Sequence, residues 1–147
     1  MRIVLDTNVA LSALLWRGKP HSLLQAIRRR GDLRLVSSPA LLTELADVLS
    51  RPSPAKQLAV IGRSAREVLS DYLEIVDVVE PEEVPRVVPA DADDDHVIAA
   101  AVAAQALLIV SGDSDLLSMG GHQGINIMST AIALQHLGIE PAGTPCA

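Results

Sequence analysis

Eighteen acidic residues are spread over 147 positions, but the ones that could do chemistry sit where the chain changes from one element to another. Asp6 follows the apolar run Arg2-Ile3-Val4-Leu5, and Asp113 and Asp115 follow Leu107-Leu108-Ile109-Val110 and Ser111-Gly112. Asp91, Asp93, Asp94 and Asp95 open an Ala-rich segment, and Glu44 lies about 40° outside the apolar stripe of a helical stretch. A short continuous apolar run closed by polar residues reads as a strand buried on both faces, and sheets of such strands place their sites at the carboxyl ends. On that topology Asp6, Glu44, Asp94 or Asp95, and Asp113 with Asp115 converge on one cleft. Unpaired carboxylates so gathered repel one another and raise one another's pKa values. Cations resolve the conflict, and oxygen donors with few His and no suitable Cys point to one or two Mg²⁺ or Mn²⁺ ions rather than to zinc. Such ions would activate water and stabilise the leaving oxygen in phosphodiester cleavage. Taken singly, each acid is as readily a helix cap. The weight lies in their conjunction.

The elements that must position these acids are legible in order. After the first strand, Thr7 or Asn8 can cap a helix to about Trp16. Pro20 opens a second helix ending at Arg30-Gly31, and Leu33–Val36 is a second strand. Ser38-Pro39 starts a helix to about Ser50 that carries Glu44 on its rim. Residues 51–64, with two prolines and a glycine, read as the least regular part, with room for one short helix. A helix over Ala65–Asp77 and a brief strand at Val78-Val79 come next, then a Pro-rich approach to Asp91. A helix through Val97–Ala104 feeds the strand that ends at Val110. Ile125–Ile127 is a last strand and Ser129–Leu137 a last helix. Strands alternating with helices predict an α/β fold, a three-layer α/β/α sandwich around a mainly parallel sheet. The expectation is one domain over residues 1–138 with a flexible tail over 139–147.

Composition narrows the classes. The longest apolar stretch, broken by Gln105, falls short of the roughly 18 residues needed to span a bilayer. Asp6 interrupts what would be the apolar region of a signal peptide, so a cytoplasmic protein is expected. The single Cys146 supports neither a disulfide framework nor a zinc site. The net charge of −6 hides a split: residues 1–66 carry +7 and residues 67–147 carry −13. That asymmetry hints at a polyanionic partner. Arg28, Arg29, Arg30 and Arg34 are candidate contacts to an RNA backbone, although cations in a last helical turn also need no further reason. Trp16 and Tyr72 are the only aromatic residues, and both fall in apolar helix patterns, so base stacking is not expected. His96 reads as a solvated first-turn histidine.

Four stretches carry a resemblance: V-L-D-T-N-V at 4–9, S-x-x-L-L-x-E-L at 38–45, D-x-x-D-D-H-V-I-A-A-A at 91–101 and I-V-S-G-D-S-D-L-L at 109–117. Together they resemble the PIN-domain family, and most of all its bacterial toxin–antitoxin branch, relatives of VapC-type ribonucleases. The likeness runs from about residue 2 to 137 and is weakest over 51–64. It implies a metal-dependent endoribonuclease, usually dimeric, held inactive by a small antitoxin protein. By motif Asp6 corresponds to the first acid, Glu44 to the second and Asp113 to the fourth, with Asp115 assisting. The third is Asp94 by one motif alignment and Asp95 by the other. Asn8 and Ser111 correspond to polar positions beside the metals. A Mg²⁺-dependent phosphatase is the rival enzyme, but Asn8 stands where its second Asp belongs. A non-catalytic binding module that has kept the fold is the remaining alternative.

Overall fold

The computed structural model describes residues 1–81 and 92–140, with the side chains of the central helix described from Asp95 onward. The first strand, β1 (Arg2–Leu5), leads into α1 (Thr7–Leu15) and α2 (Lys19–Arg29). β2 (Arg34–Ser37) is followed by α3 (Pro39–Leu49), α4 (Pro52–Ile61) and α5 (Ala65–Ile75), and then by β3 (Val76–Val78). α6 (Ala92–Ala104) feeds β4 (Leu108–Val110), α7 (Ser114–Met119), β5 (Gly121–His122), β6 (Ile125–Met128) and α8 (Thr130–Leu137). The sheet order is β3-β2-β1-β4-β6-β5. Every pairing is parallel except that of β5 with β6. The expected α/β sandwich around a mainly parallel sheet is therefore the observed one.

Alternation along each strand sorts the core into two layers. Ile3, Leu5, Leu35, Leu108 and Val110 face α1 to α5 and α8, while Val4, Val36, Ile109 and Ile127 face α6 and α7. Each fully buried Ile or Leu contributes about 1.5–3 kcal/mol of apolar transfer. The layer around α6 is built from small residues: Ala100 and Ala101 are fully buried, which lets that helix lie close against β1, β2 and β4. α8 stops where Gly138 takes φ +69°, a left-handed conformation that an L side chain resists. No described helix is long and apolar enough to cross a membrane.

Four expectations change. The helix expected over Ala65–Asp77 ends at Ile75, and the brief strand is Val76–Val78 rather than Val78-Val79. The cap of α1 is Asp6, whose side chain accepts from Val9 N–H, and neither Thr7 nor Asn8 fills that role. Residues 51–64 hold a regular ten-residue helix, because Pro52 falls in its first turn, where no N–H is needed, and Gly62 closes it. The segment after Asp115 contains α7 and a hairpin strand, elements too short for periodicity to reveal. The looped approach to Asp91 and the tail from Pro141 lie outside the described residues.

Candidate active site

β1 and β4 are neighbours, with Leu5 in register with Val110, so Asp6 and Ser111 emerge side by side at the carboxyl edge. This is also where the strand order reverses, β2 and β3 lying to one side and β6 and β5 to the other. At such a switch point the following connections diverge and leave a crevice.

Asp6 is buried, and its carboxylate is fully engaged. Oδ1 accepts from Val9 N–H at 2.8 Å, and Oδ2 accepts a hydrogen bond from the Ser111 hydroxyl. The Asp6 N–H donates to the Val110 carbonyl at 3.0 Å. Ser111, itself fully buried, accepts from Asp113 N–H on the same hydroxyl oxygen, at 2.9 Å. Asp113 is half-buried and caps α7, its Oδ1 accepting from Asp115 N–H at 2.8 Å and from Leu116 N–H at 3.3 Å. One hydroxyl therefore ties the two strand-end acids together.

Burial is the largest influence on Asp6 and raises its pKa. Hydrogen bonds from Ser111, Val9 and Gly112 pull it back, the negative charge of Asp113 pushes it up again, and the net result is a carboxyl above its ordinary value. Tyr72, buried on α5, feels the same charge: burial first, and then Asp6, push its phenol above the usual range. Thr7, the residue after Asp6, keeps a buried Oγ1 with no hydrogen-bond partner.

The other expected acids are distributed around this pair. Glu44 is half-buried on α3, a helix that begins at the carboxyl end of β2 and packs on α1, α5 and α6. Asp95 is fully buried in the first turns of α6, whereas the side chain of Asp94 lies outside the described residues. Asp115 and Asn8 are exposed. Among the described residues no three or more His, Cys, Asp or Glu side chains are grouped so that they could hold a metal ion. The close association is Asp6 with Asp113. It fits a hard divalent cation in donor type, since Asp6, Ser111 and Asp113 offer only side-chain oxygen, and in charge, since a cation would relieve the strain that burial and Asp113 place on Asp6.

Arg28, Arg29, Arg30 and Arg34 are set elsewhere. Arg34 begins β2 and Arg30 closes α2 just before it, so this group lies at the amino edge of the sheet, about 13 Å of strand from the acids. Arg30 is held by Asp32 at 2.7 Å and by the Leu137 carbonyl at 2.6 Å, and Arg34 by Asp77 at 2.7 Å. Thr7 and Tyr72 are the neighbours of Asp6 that sequence reasoning missed. The D-T-N triplet marks Thr7, but nothing in the pattern shows that its hydroxyl is buried unsatisfied. The apolar spacing places Tyr72 in the core without indicating that it lies within electrostatic reach of Asp6.

A family model described as PIN domain matches residues 2–115. No curated protein sequence matches the chain. Among solved structures, the fold is similar to VapBC2 from Rickettsia felis bound to a DNA fragment from its promoter, with a TM-score of 0.61 at 14% identity over 86% of this chain and 97% of that one. It is also similar to VapBC-1 from nontypeable Haemophilus influenzae, with a TM-score of 0.59 at 14% identity over 89% and 99%. A third, FitAcB from Neisseria gonorrhoeae, gives 0.55 at 17% identity over 88% and 98%.

Proposed function

The chain belongs to the PIN-domain family, and from that premise we propose that it is a divalent-metal-dependent endoribonuclease, the toxin of a toxin–antitoxin pair. The observation that carries this reading is the buried Asp6 joined to Asp113 through the Ser111 hydroxyl at the switch point of the sheet. Asp6 and Asp113, with Glu44, Asp94 or Asp95, and Asp115, would hold one or two Mg²⁺ or Mn²⁺ ions. When bound, such an ion supplies a water nucleophile at neutral pH and screens the phosphate charge. The chain's own part is positioning: Val9 N–H and Ser111 fix both oxygens of Asp6, and the cap on α7 fixes one oxygen of Asp113. Asn8, exposed beside Asp6, and Ser111 would order the surroundings of the ions. No protein nucleophile is required. With no exposed tyrosine and one partly exposed Trp16, RNA would be held through its backbone, independently of base stacking.

Similarity to solved structures of the VapBC and FitAcB kind supports an antitoxin partner for this chain. A homodimer or higher homo-oligomer in the cytoplasm completes the reading. Its test is cleavage of single-stranded RNA with Mn²⁺, with and without chelator, by the wild type and by Asp6→Asn. Metal-dependent cleavage by the wild type alone is expected. Equal rates from both proteins would refute the assignment of Asp6.

A further inference from the structure

The cations on and beside α2 do not match what the helix itself needs. Arg28 and Arg29 in the last turn complement the helix dipole. Arg17 and Lys19 flank the opposite end, where a positive charge opposes the dipole, and the first turn contains no acid to offset them. Arg17, Lys19, Arg28 and Arg29 are all exposed, and none makes an ion pair among the described residues. Two clefts flank the helix. One, of about 650 Å³, is lined by Arg17, His21, Gln25 and Arg29, the last three at successive four-residue steps along one face. The other, of about 460 Å³, is lined by Arg28, Arg29, Arg30 and Arg34. Acids border both, but Asp77 is engaged with Arg34, which leaves Glu74 and Glu140 against the unpaired cations.

We propose that the outer face of α2 is a phosphate-backbone exosite for RNA, separate from the carboxylate centre. The identity of the polyanion as RNA rests on the nuclease reading. The eleven residues of α2 separate its ends by roughly 15 Å, enough to meet several phosphates of one strand. Arg28, Arg29 and Arg17 present forked donors suited to phosphate oxygens. Arg30 and Arg34, fixed by Asp32 and Asp77, act as the rigid wall of the second cleft. Neither tyrosine nor tryptophan lines either cleft, so the contact is made chiefly to the backbone, independently of sequence. RNA is thus gripped at the amino edge of the sheet and at α2 while another part of the strand reaches Asp6.

The test measures binding of a fluorescent single-stranded RNA of roughly twenty nucleotides, longer than the 4–16 that one small domain usually covers. Asp6→Asn protein is used so that the probe stays whole. Arg28→Gln/Arg29→Gln in that background should weaken binding at least about tenfold at moderate salt. It should also reduce the slope of log K against log salt by about 1.4, roughly 0.7 for each lost phosphate contact. Arg17→Gln/Lys19→Gln, at the other end, should lower the slope similarly. Lys56→Gln/Arg66→Gln removes the same charge from exposed positions on α4 and α5 and serves as the control. Unchanged affinity and slope in both α2 variants would overturn the exosite, as would an equal loss in the control. Displacement of the RNA by poly-glutamate at equal charge concentration would instead assign the ridge to an acidic protein and overturn the RNA reading. Binding is read without cleavage, so a wild type that binds here but cuts nothing would refute the nuclease proposal alone.

Discussion

The two edges of the sheet carry opposite chemistry. At the carboxyl edge, Asp6, Ser38, Asp113 and Ser129 cap α1, α3, α7 and α8 with side-chain oxygens. At the amino edge, Arg2 donates to the Ala104 carbonyl at the end of α6, and Arg30 donates to the Leu137 carbonyl at the end of α8. The cause is topological. A parallel sheet turns helix N-termini, with their positive dipole ends, toward one edge, and helix C-termini toward the other. Cap chemistry alone therefore accounts for much of the polarity. What separates the strand-end charges is the degree of compensation: Arg30 and Arg34 each have a carboxylate partner at the amino edge, beside Arg28 and Arg29 of α2, unpaired among the described residues, whereas Asp6 faces another acid. A structural charge is neutralised where it stands. The Asp6–Asp113 pair has no cationic partner among the described residues.

The largest test of this contrast is Asp6→Asn. It should lower RNA cleavage by more than about 100-fold, beyond the 10–100-fold typical of losing a group that only orients a metal ligand. The same variant should be more heat-stable than the wild type at neutral pH in chelator. Because the folded state raises the pKa of Asp6, it binds that proton more tightly than the unfolded chain does, and wild-type stability falls as pH rises from the ordinary carboxyl value through the raised one. Melting curves across pH should show the advantage of the variant opening toward neutrality and closing in acid. No such divergence would mean that Asp6 is not under strain.

Next in size is the ion itself. Mn²⁺ at about a hundredfold excess over its Kd should stabilise the wild type by about 2.7 kcal/mol. The Asp6→Asn gain should be much smaller, as read by calorimetry and thermal shift. Ser111→Ala should then cost about 10–100-fold in activity. It removes a hydrogen bond that lowers the pKa of Asp6, so the acid limb of the pH–rate profile should move to higher pH. Ser111→Thr, which keeps the hydroxyl, should restore both. A rate loss with an unmoved profile would make Ser111 merely a packing residue. The smallest effect belongs to the opposite edge: Arg34→Gln breaks an exposed pair with Asp77 and should barely move the melting temperature. A large drop there would erase the distinction between the compensated Arg34 and the uncompensated Asp6.

Much of this arrangement was readable from one chain. Apolar runs closed by Asp6 and by Ser111-Gly112 located both strand ends, and the alternation with helices gave the mainly parallel sheet. Pairing order was not readable, because which strands lie side by side depends on how the crossovers pack. Without that order the sequence does not bring Asp6 to Ser111. The cap on α1 is not legible in the sequence, since Asp6, Thr7 and Asn8 are all good capping types and backbone angles decide among them. The helix over Pro52–Ile61 was hidden by its own prolines, which break a helix in its interior and begin one at its first turn. The basic run Arg28–Arg30 is visible as charge, and its place just before β2 sets it at the edge away from Asp6 only once β2 is known to pair in parallel with β1.

The bond between Ser111 and Asp6 joins residues 105 positions apart. A growing polypeptide that has emerged only as far as α6 already contains the first acid, but not the strand that must lie beside it. Contacts of such long range form late, after shorter loops have closed. On the nuclease reading, a chain still lacking β4 would be inert, because Asp6 gains its Ser111 partner only when β4 inserts next to β1.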